Sequence, residues 1–486
     1  MNYFSIDAII VYAFLLLTLL IGLWVGRNVK TMKEYAIANK TYGAGVLTMT
    51  MLATFITGSQ AIGYVGYVFD DGIVPIISTI FCRAIIGLWL IARFITPKIF
   101  YFEGCLTLAD LMGRLYGPIA RTWMAVLGVF YCLAFVILQI IWIGYIGELI
   151  NIPNQYAMLL GGSFLIVYSA RGGMKSIAIT DVIHFIAVTI LVSLSTNLLI
   201  HKVGGVSNIF NKVPASTFKI IYNPALKHYL VYSLWALFPS FILSFPFMQR
   251  MLMAKDKRQI AKSQHIGIFY LTIFYVLLTL IALAAIALKT MGDVNMPQQG
   301  SKVFIYLVKN YFPVGIKGII GIGLLAAVMS TADSFLHSAG TLVAYDLAQP
   351  LIRRRNYNVN VLKVSQYATL FLGLISLCIG LMYQILPRVQ YGSMDLGKGI
   401  NILRDFVAVV FTIPLIAGIM GLKTDAKTFF TSLIITFISF TFGKIFLSEL
   451  LFIPFNIFVN AISFFGAHYI QNKGFVTVQR KTTRLA

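Results

Sequence analysis

The stretch Gly321–Asp346, GIGLLAAVMSTADSFLHSAGTLVAYD, constrains this chain more than any other. It is apolar enough to lie in a bilayer, yet it carries Ser330, Thr331, Asp333, Ser334, His337 and Ser338 along its middle. An ionisable residue inside a membrane helix is costly, so by default it marks a site or a pathway. At about 100° per residue, Ala327, Ser330, Thr331, Ser334 and Ser338 fall on one stripe, with Asp333 on its flank. Hydroxyls plus a carboxylate suit a hard cation such as Na+, which wants several oxygen ligands. A competing reading has the hydroxyls bonding back to carbonyls one turn earlier, or small residues letting helices approach closely. The clustering around Asp333 favours a site.

The rest of the chain agrees with a membrane setting. Of 486 residues, 59% are hydrophobic and only 11% charged, where soluble domains carry about 25% charged residues. The reading is an all-α integral membrane protein whose immediate partner is the lipid bilayer. Apolar runs are expected to span at 5–26, 44–69, 73–95, 121–149, 155–171, 176–199, 228–248, 266–288, 314–345, 365–385, 403–421, 427–447 and 450–470, about 13 transmembrane helices. The net charge of +22 sits in short segments between these runs, which fits positive-inside topology and not a nucleic-acid partner. Roughly 25 Lys and Arg fall on loops assigned inside and roughly 12 outside. The strongest inside markers are Arg250–Lys262, Arg353–Arg355 and Lys473–Arg484. The first run follows Asp7 with no basic residue before it, so it reads as an uncleaved helix with its N-terminus outside. An odd helix count then places the C-terminus in the cytoplasm. Within the outer loop 289–313, SKVFIYLVKNYFP has helical apolar spacing and is expected to lie along the outer surface. Cys82, Cys105, Cys132 and Cys378 lack metal or disulfide-framework spacing. No nucleophile–base pair appears at a consistent depth, so no enzyme is expected.

Three other stretches carry polar residues at depth. The second span holds Thr54, Thr57, Gly58, Ser59 and Gln60 at its centre. That mix favours an interrupted helix whose freed carbonyls can coordinate a cation, although Gly58 could be a packing notch. Pro239 and Pro246 make the seventh span a candidate for a second break. The sixth opens RGGMKSIAITDVIHF, with a tight inner turn at Arg171–Gly173. Its Asp181 is either a cation ligand or the partner of Arg83, read as the one basic residue deep enough to reach it. His184 and His337 read as hydrogen-bonded structural residues.

Four segments, LATFITGSQAIGYVG (52–66), TLADLMGRLYG (107–117), GGMKSIAITDVIHF (172–185) and AAVMSTADSFLHSA (326–339), resemble the sodium:solute symporter family. The resemblance covers about residues 5–420 and implies an inverted five-helix repeat with broken helices, the amino-acid transporter type fold. Residues 1–43 would be an extra N-terminal helix and inner loop, 44–200 and 201–421 the two repeats, and 422–486 two further helices and a basic tail. It implies Na+ as the co-transported ion, bound by carbonyls of Ala53, Ile56 and Ala327 and hydroxyls of Ser330 and Thr331. A second cation site would use Asp181, Asp333 and Ser334 beside Ser330, taking a second Na+ or a proton. Phe55, Thr57, Ser59 and Gln60 would face a small organic solute. Proline-transporting members carry an acidic residue at Phe55 and a Trp at Ser59, and their aromatic pair would fall near Phe238 and Ile242. The expected activity is Na+-coupled import by alternating access across a plasma (inner) membrane. A proton-coupled permease on the same fold and a non-transporting solute sensor are the alternatives.

Overall fold

The computed structural model describes residues 5–237, 244–385 and 396–472. These fold into helices and loops, with no strand among the described residues. In order the principal helices are α1 (Ile6–Gly26), α2 (Met32–Ile37), α3 (Ala44–Phe55), α4 (Gly58–Asp71), α5 (Ile77–Phe102), α6 (Leu108–Tyr116), α7 (Pro118–Leu149) and α8 (Asn154–Val203). They continue with α9 (Leu226–Leu237), α10 (Phe245–Met253), α11 (Lys257–Thr290), α12 (Gly300–Tyr311), α13 (Ile316–Arg354), α14 (Val361–Ile385), α15 (Leu396–Met420), α16 (Ala426–Phe446) and α17 (Glu449–Asn472). Where loops re-enter helix, side chains cap the open backbone N–H groups. Thr107 accepts from Asp110, Asp256 from Gln259 and Asp425 from Thr428. Thr31 and Glu34 form a reciprocal capping box at α2.

Ten helices among the described residues are long and apolar enough to cross a membrane, or eleven if α3 and α4 count as one bent span. The expected thirteen is not reproduced on this measure. Expected spans 155–171 and 176–199 lie within one 50-residue helix, α8, interrupted only at Gly173. There φ is +51° and ψ −145°, a conformation glycine adopts without strain. A Cβ at Gly173 would come within 2.6 Å of the Tyr35 ring, so the position requires glycine on packing grounds as well. Part of the expected seventh span, including Phe238, Pro239 and Ile242, lies outside the described residues. Its described end is α10, with Pro246 in the first turn, where the missing N–H costs nothing.

The centre of the molecule is α13. Of its most apolar stretch 89% is buried, against 28% in α16. α13 packs against α7, α8, α14 and α1 and, less extensively, against α3, α4 and α10. α1 is fastened to it at one end, where Asp7 Oδ1 accepts from the backbone N–H groups of Gly315 (2.8 Å) and Gly318 (2.7 Å). At the other end, Ser176 of α8 donates to the Gly22 carbonyl of α1. The segment with helical apolar spacing in the loop 289–313 forms a helix, α12, which packs on α4, with Gly300 N–H donating to Asp70.

Candidate functional site

The second expected span is broken. α3 ends at Phe55, Ile56 and Thr57 leave helical geometry (ψ 89° and 148°), and α4 begins at Gly58 after a bend of 55°. Thr57 Oγ1 caps α4 by accepting from the Gln60 N–H at 3.1 Å. Gly58 is also a packing notch, since a Cβ there would stand 2.6 Å from the Val328 side chain. The break therefore sits directly against the polar stripe of α13.

Across that contact Ser330 Oγ lies 2.9 Å from the Ala53 carbonyl and 3.2 Å from the Ala327 carbonyl. Thr331 Oγ1 lies 3.1 Å from the same Ala327 oxygen. Ala53, Ala327, Ser330 and Thr331 are thus drawn together, all buried. Ile56, the other expected carbonyl ligand, is buried at the break. Two carbonyls and two hydroxyls converging from two helices form an all-oxygen donor set, the kind a hard cation takes. The back-bonding reading is also true of this stripe: Ser334 donates to Ser330 O and Ser338 to Ser334 O. Back-bonding within α13 does not account for the bond from Ser330 to α3.

One turn further along α13 lies a charged cluster. Arg250, on α10, is fully buried. Its Nη2 donates to Asp181 Oδ2 at 2.8 Å and to Ser334 Oγ at 2.6 Å, and its Nε to Thr50 Oγ1 at 2.9 Å. Thr50 in turn donates to Asp181. Asp333 accepts from Tyr168 OH at 2.7 Å and lies 3.1 Å from Ser334 Oγ. Asp181, His184 and Asp333 each offer a ligand atom within 4.8 Å of the others.

Two expectations are corrected here. The basic partner of Asp181 is Arg250, fully buried on α10, and not Arg83. Four apolar residues, Met251–Ala254, separate Arg250 from the basic segment that starts at Lys255. That spacing was the available signal. His184 is also not a hydrogen-bonded structural residue. Among the described residues neither ring nitrogen has a hydrogen-bond partner, and Nδ1 stands 3.9 Å from Asp181 Oδ1. His337 does fit the structural reading, with Nε2 3.4 Å from the Ala36 carbonyl and its ring against Tyr35.

Near the break, Phe55 and Thr57 are buried and Gln60 is half-buried. Phe55 packs on Phe247 of α10 with ring centroids 4.8 Å apart. The Ser59 side chain lies outside the described residues, although its backbone is part of the first turn of α4.

The model of the sodium:solute symporter family matches residues 35–435. The chain belongs to this family. The symporter is 23% identical over 467 residues to the sodium/glucose cotransporter of Vibrio parahaemolyticus, covering 87% of this chain and 82% of that one. It is 23% identical over 421 residues to the sodium/pantothenate symporter of Escherichia coli K12, covering 83% of each. Its fold matches a Na+-coupled sialic acid symporter solved in a substrate-bound, outward-open state, with a TM-score of 0.82 at 16% identity over 98% of this chain and 99% of that chain. A nucleobase-cation-symport-1 family transporter in a closed conformation matches with a TM-score of 0.58 at 12% identity over 91% and 96%. The protein is a Na+-coupled symporter, a secondary transporter and not an enzyme. These matches do not favour the proton-coupled permease or the sensor.

Proposed function

We propose that this symporter imports a small organic solute by alternating access. Na+ is held by the carbonyls of Ala53, Ile56 and Ala327 and the hydroxyls of Ser330 and Thr331. One observation carries the reading: Ser330 Oγ reaches the Ala53 carbonyl across the interface between the broken helix and α13. A cation at that junction draws the two helices together, and the solute is seated at Phe55, Thr57, Ser59 and Gln60 on the adjoining break. Na+ therefore stabilises the shape that the solute requires, and each ligand raises the other's affinity by the same factor.

The Asp181, Asp333 and Ser334 cluster is the second cation site. Two carboxylates against the single Arg250 guanidinium leave one negative charge in a buried setting, which one further monovalent cation balances, Na+ or a proton. The protein is placed in the plasma membrane with its N-terminus outside and C-terminus cytoplasmic, and residues 44–200 and 201–421 form the two repeats. One Na+ moving down a 100 mV potential supplies about 2.3 kcal/mol, and a tenfold gradient about 1.4 kcal/mol more.

The test is uptake into proteoliposomes under an imposed Na+ gradient by the double variant Ser330→Ala, Thr331→Ala. Loss of Na+-driven accumulation, with the fold retained, is expected. Uptake that still follows the Na+ gradient would show that Na+ is bound elsewhere.

A further inference from the structure

The proposed transport scheme leaves His184 without a task. It sits on α8 one turn beyond Asp181, and its side chain is fully buried. Among the described residues neither of its ring nitrogens has a hydrogen-bond partner, and Asp181 Oδ1 has none either. The 3.9 Å from His184 Nδ1 to Asp181 Oδ1 is too long for a hydrogen bond. Phe14 of α1 packs beside the imidazole, with ring centroids 6.0 Å apart. Asp333 approaches from α13, so that Asp181, His184 and Asp333 each bring a ligand atom within 4.8 Å of the others. Arg250 of α10 holds the other oxygen of Asp181, and Tyr168 donates to Asp333.

Buried polar atoms are nearly always paired, so unpaired lone pairs gathered in one place mark a seat for an ion. A hard cation such as Na+ is served by oxygen and gains little from an imidazole. One imidazole nitrogen beside two carboxylates is a donor set for a borderline divalent metal such as Zn2+. Donors on one Zn2+ at about 2.0–2.2 Å lie no more than about 4.4 Å apart. Small side-chain rotations bring these three into that range. From this arrangement we propose that Asp181, His184 and Asp333 bind a divalent transition-metal ion, which excludes the coupling cation from this site. Metal binding rests on the three side chains alone, whereas the exclusion rests on the reading of this cluster as the second cation site. With Arg250 neutralising one carboxylate, a divalent ion exceeds the charge balance by one unit. The bond to the imidazole nitrogen is therefore what favours it over Na+. The ion reaches the buried seat as alternating access opens the transporter.

The test uses the purified full-length protein, free of a histidine tag, in lipid nanodiscs with Co2+ as the probe. In choline chloride buffer the expected result is the intense visible spectrum of a low-coordinate, protein-bound Co2+, lost when Zn2+ is added. His184→Gln should weaken Co2+ binding about 100-fold, the top of the range for losing a residue that only supports a metal ligand. His337→Gln, at the other buried histidine beside this region, should leave binding unchanged. His184→Cys should add the charge-transfer band of a Co2+–thiolate bond, which appears only if position 184 is a ligand. Replacing choline by Na+ at equal ionic strength should weaken Co2+ binding in the unsubstituted protein. No protein-bound Co2+ spectrum, or one that both His184→Gln and His184→Cys leave unchanged, overturns the proposal. Co2+ bound through position 184 with an affinity that Na+ does not alter would sink the exclusion and the Na+ reading of the second site. That result would leave the metal site standing.

Discussion

Arg250 Nη2 lies 2.8 Å from Asp181 Oδ2, with both side chains fully buried. The pair joins α10 to α8, and Thr50 adds α3 to the junction through bonds to both partners. Removing one partner of a buried pair strands the other charge, which costs more than the pair itself contributes. Arg250→Ala should therefore destabilise the fold by about 3–5 kcal/mol. The double variant Arg250→Gln, Asp181→Asn should recover a large part of that loss. A double-mutant cycle on thermal unfolding in detergent reads both, and an additive cycle would argue against the pairing.

In the proposed two-site scheme, Asp333 sets how many cations travel with each solute. With Arg250 committed to Asp181, Asp333 retains hydrogen bonding to Tyr168 and a contact with Ser334. Asp333→Asn removes the cluster's excess negative charge while keeping its shape. Na+ activation of uptake should then become less steep, with the Hill coefficient moving toward one. A parallel measurement in a pH gradient identifies a proton as the second cation if the pH response disappears instead.

Gly173→Ala forces a left-handed backbone conformation on a residue with a Cβ, and that Cβ meets Tyr35. Strain of this kind costs about 1–3 kcal/mol. The expected outcome is a lower unfolding temperature together with looser packing of α2, read as faster amide exchange over Met32–Ile37.

Outside the membrane-spanning helices, Lys40 Nζ lies 2.8 Å from Glu103 Oε1. That hydrogen bond, together with the charge of Lys40, lowers the Glu103 carboxyl below its ordinary value of 4.5. A lowered carboxyl stabilises the fold above its unfolded value, and the effect is lost as pH falls through the lowered folded value. Glu103 is well exposed, so the contribution is about 0.5 kcal/mol or less. Glu103→Gln should leave stability almost unchanged at pH 3 and lower it slightly at pH 7, a difference that high salt removes.

The stripe on α13 was legible because helical periodicity alone puts Ser330, Thr331 and Ser334 together. The break at Ile56–Thr57 was legible because glycine and hydroxyl residues at mid-membrane are poor helix interior. Partner choice was not legible. Arg83 and Arg250 both sit in apolar runs, and only the path of α10 brings one of them to Asp181. Periodicity also could not show that Gly173 joins two expected spans with no intervening loop, because one left-handed residue leaves no trace in hydropathy. His184 was misread for a related reason. A histidine in an apolar helix has the same sequence signature whether or not a neighbouring helix offers it a partner.

Because Asp7 ties α1 to the start of α13 and Ser176 ties it to α8, the first helix should move with those two helices in the proposed alternating-access cycle. A spin label or fluorophore on the outward face of α1, at Leu16 or Leu20, both exposed, should keep a constant distance to a second label on α14. The distance from the same label to α4 should change when Na+ and solute are added. The helix outside the two expected repeats thus supplies a built-in ruler, against which rocking of the broken helix can be read without touching any residue that binds the ion or the solute.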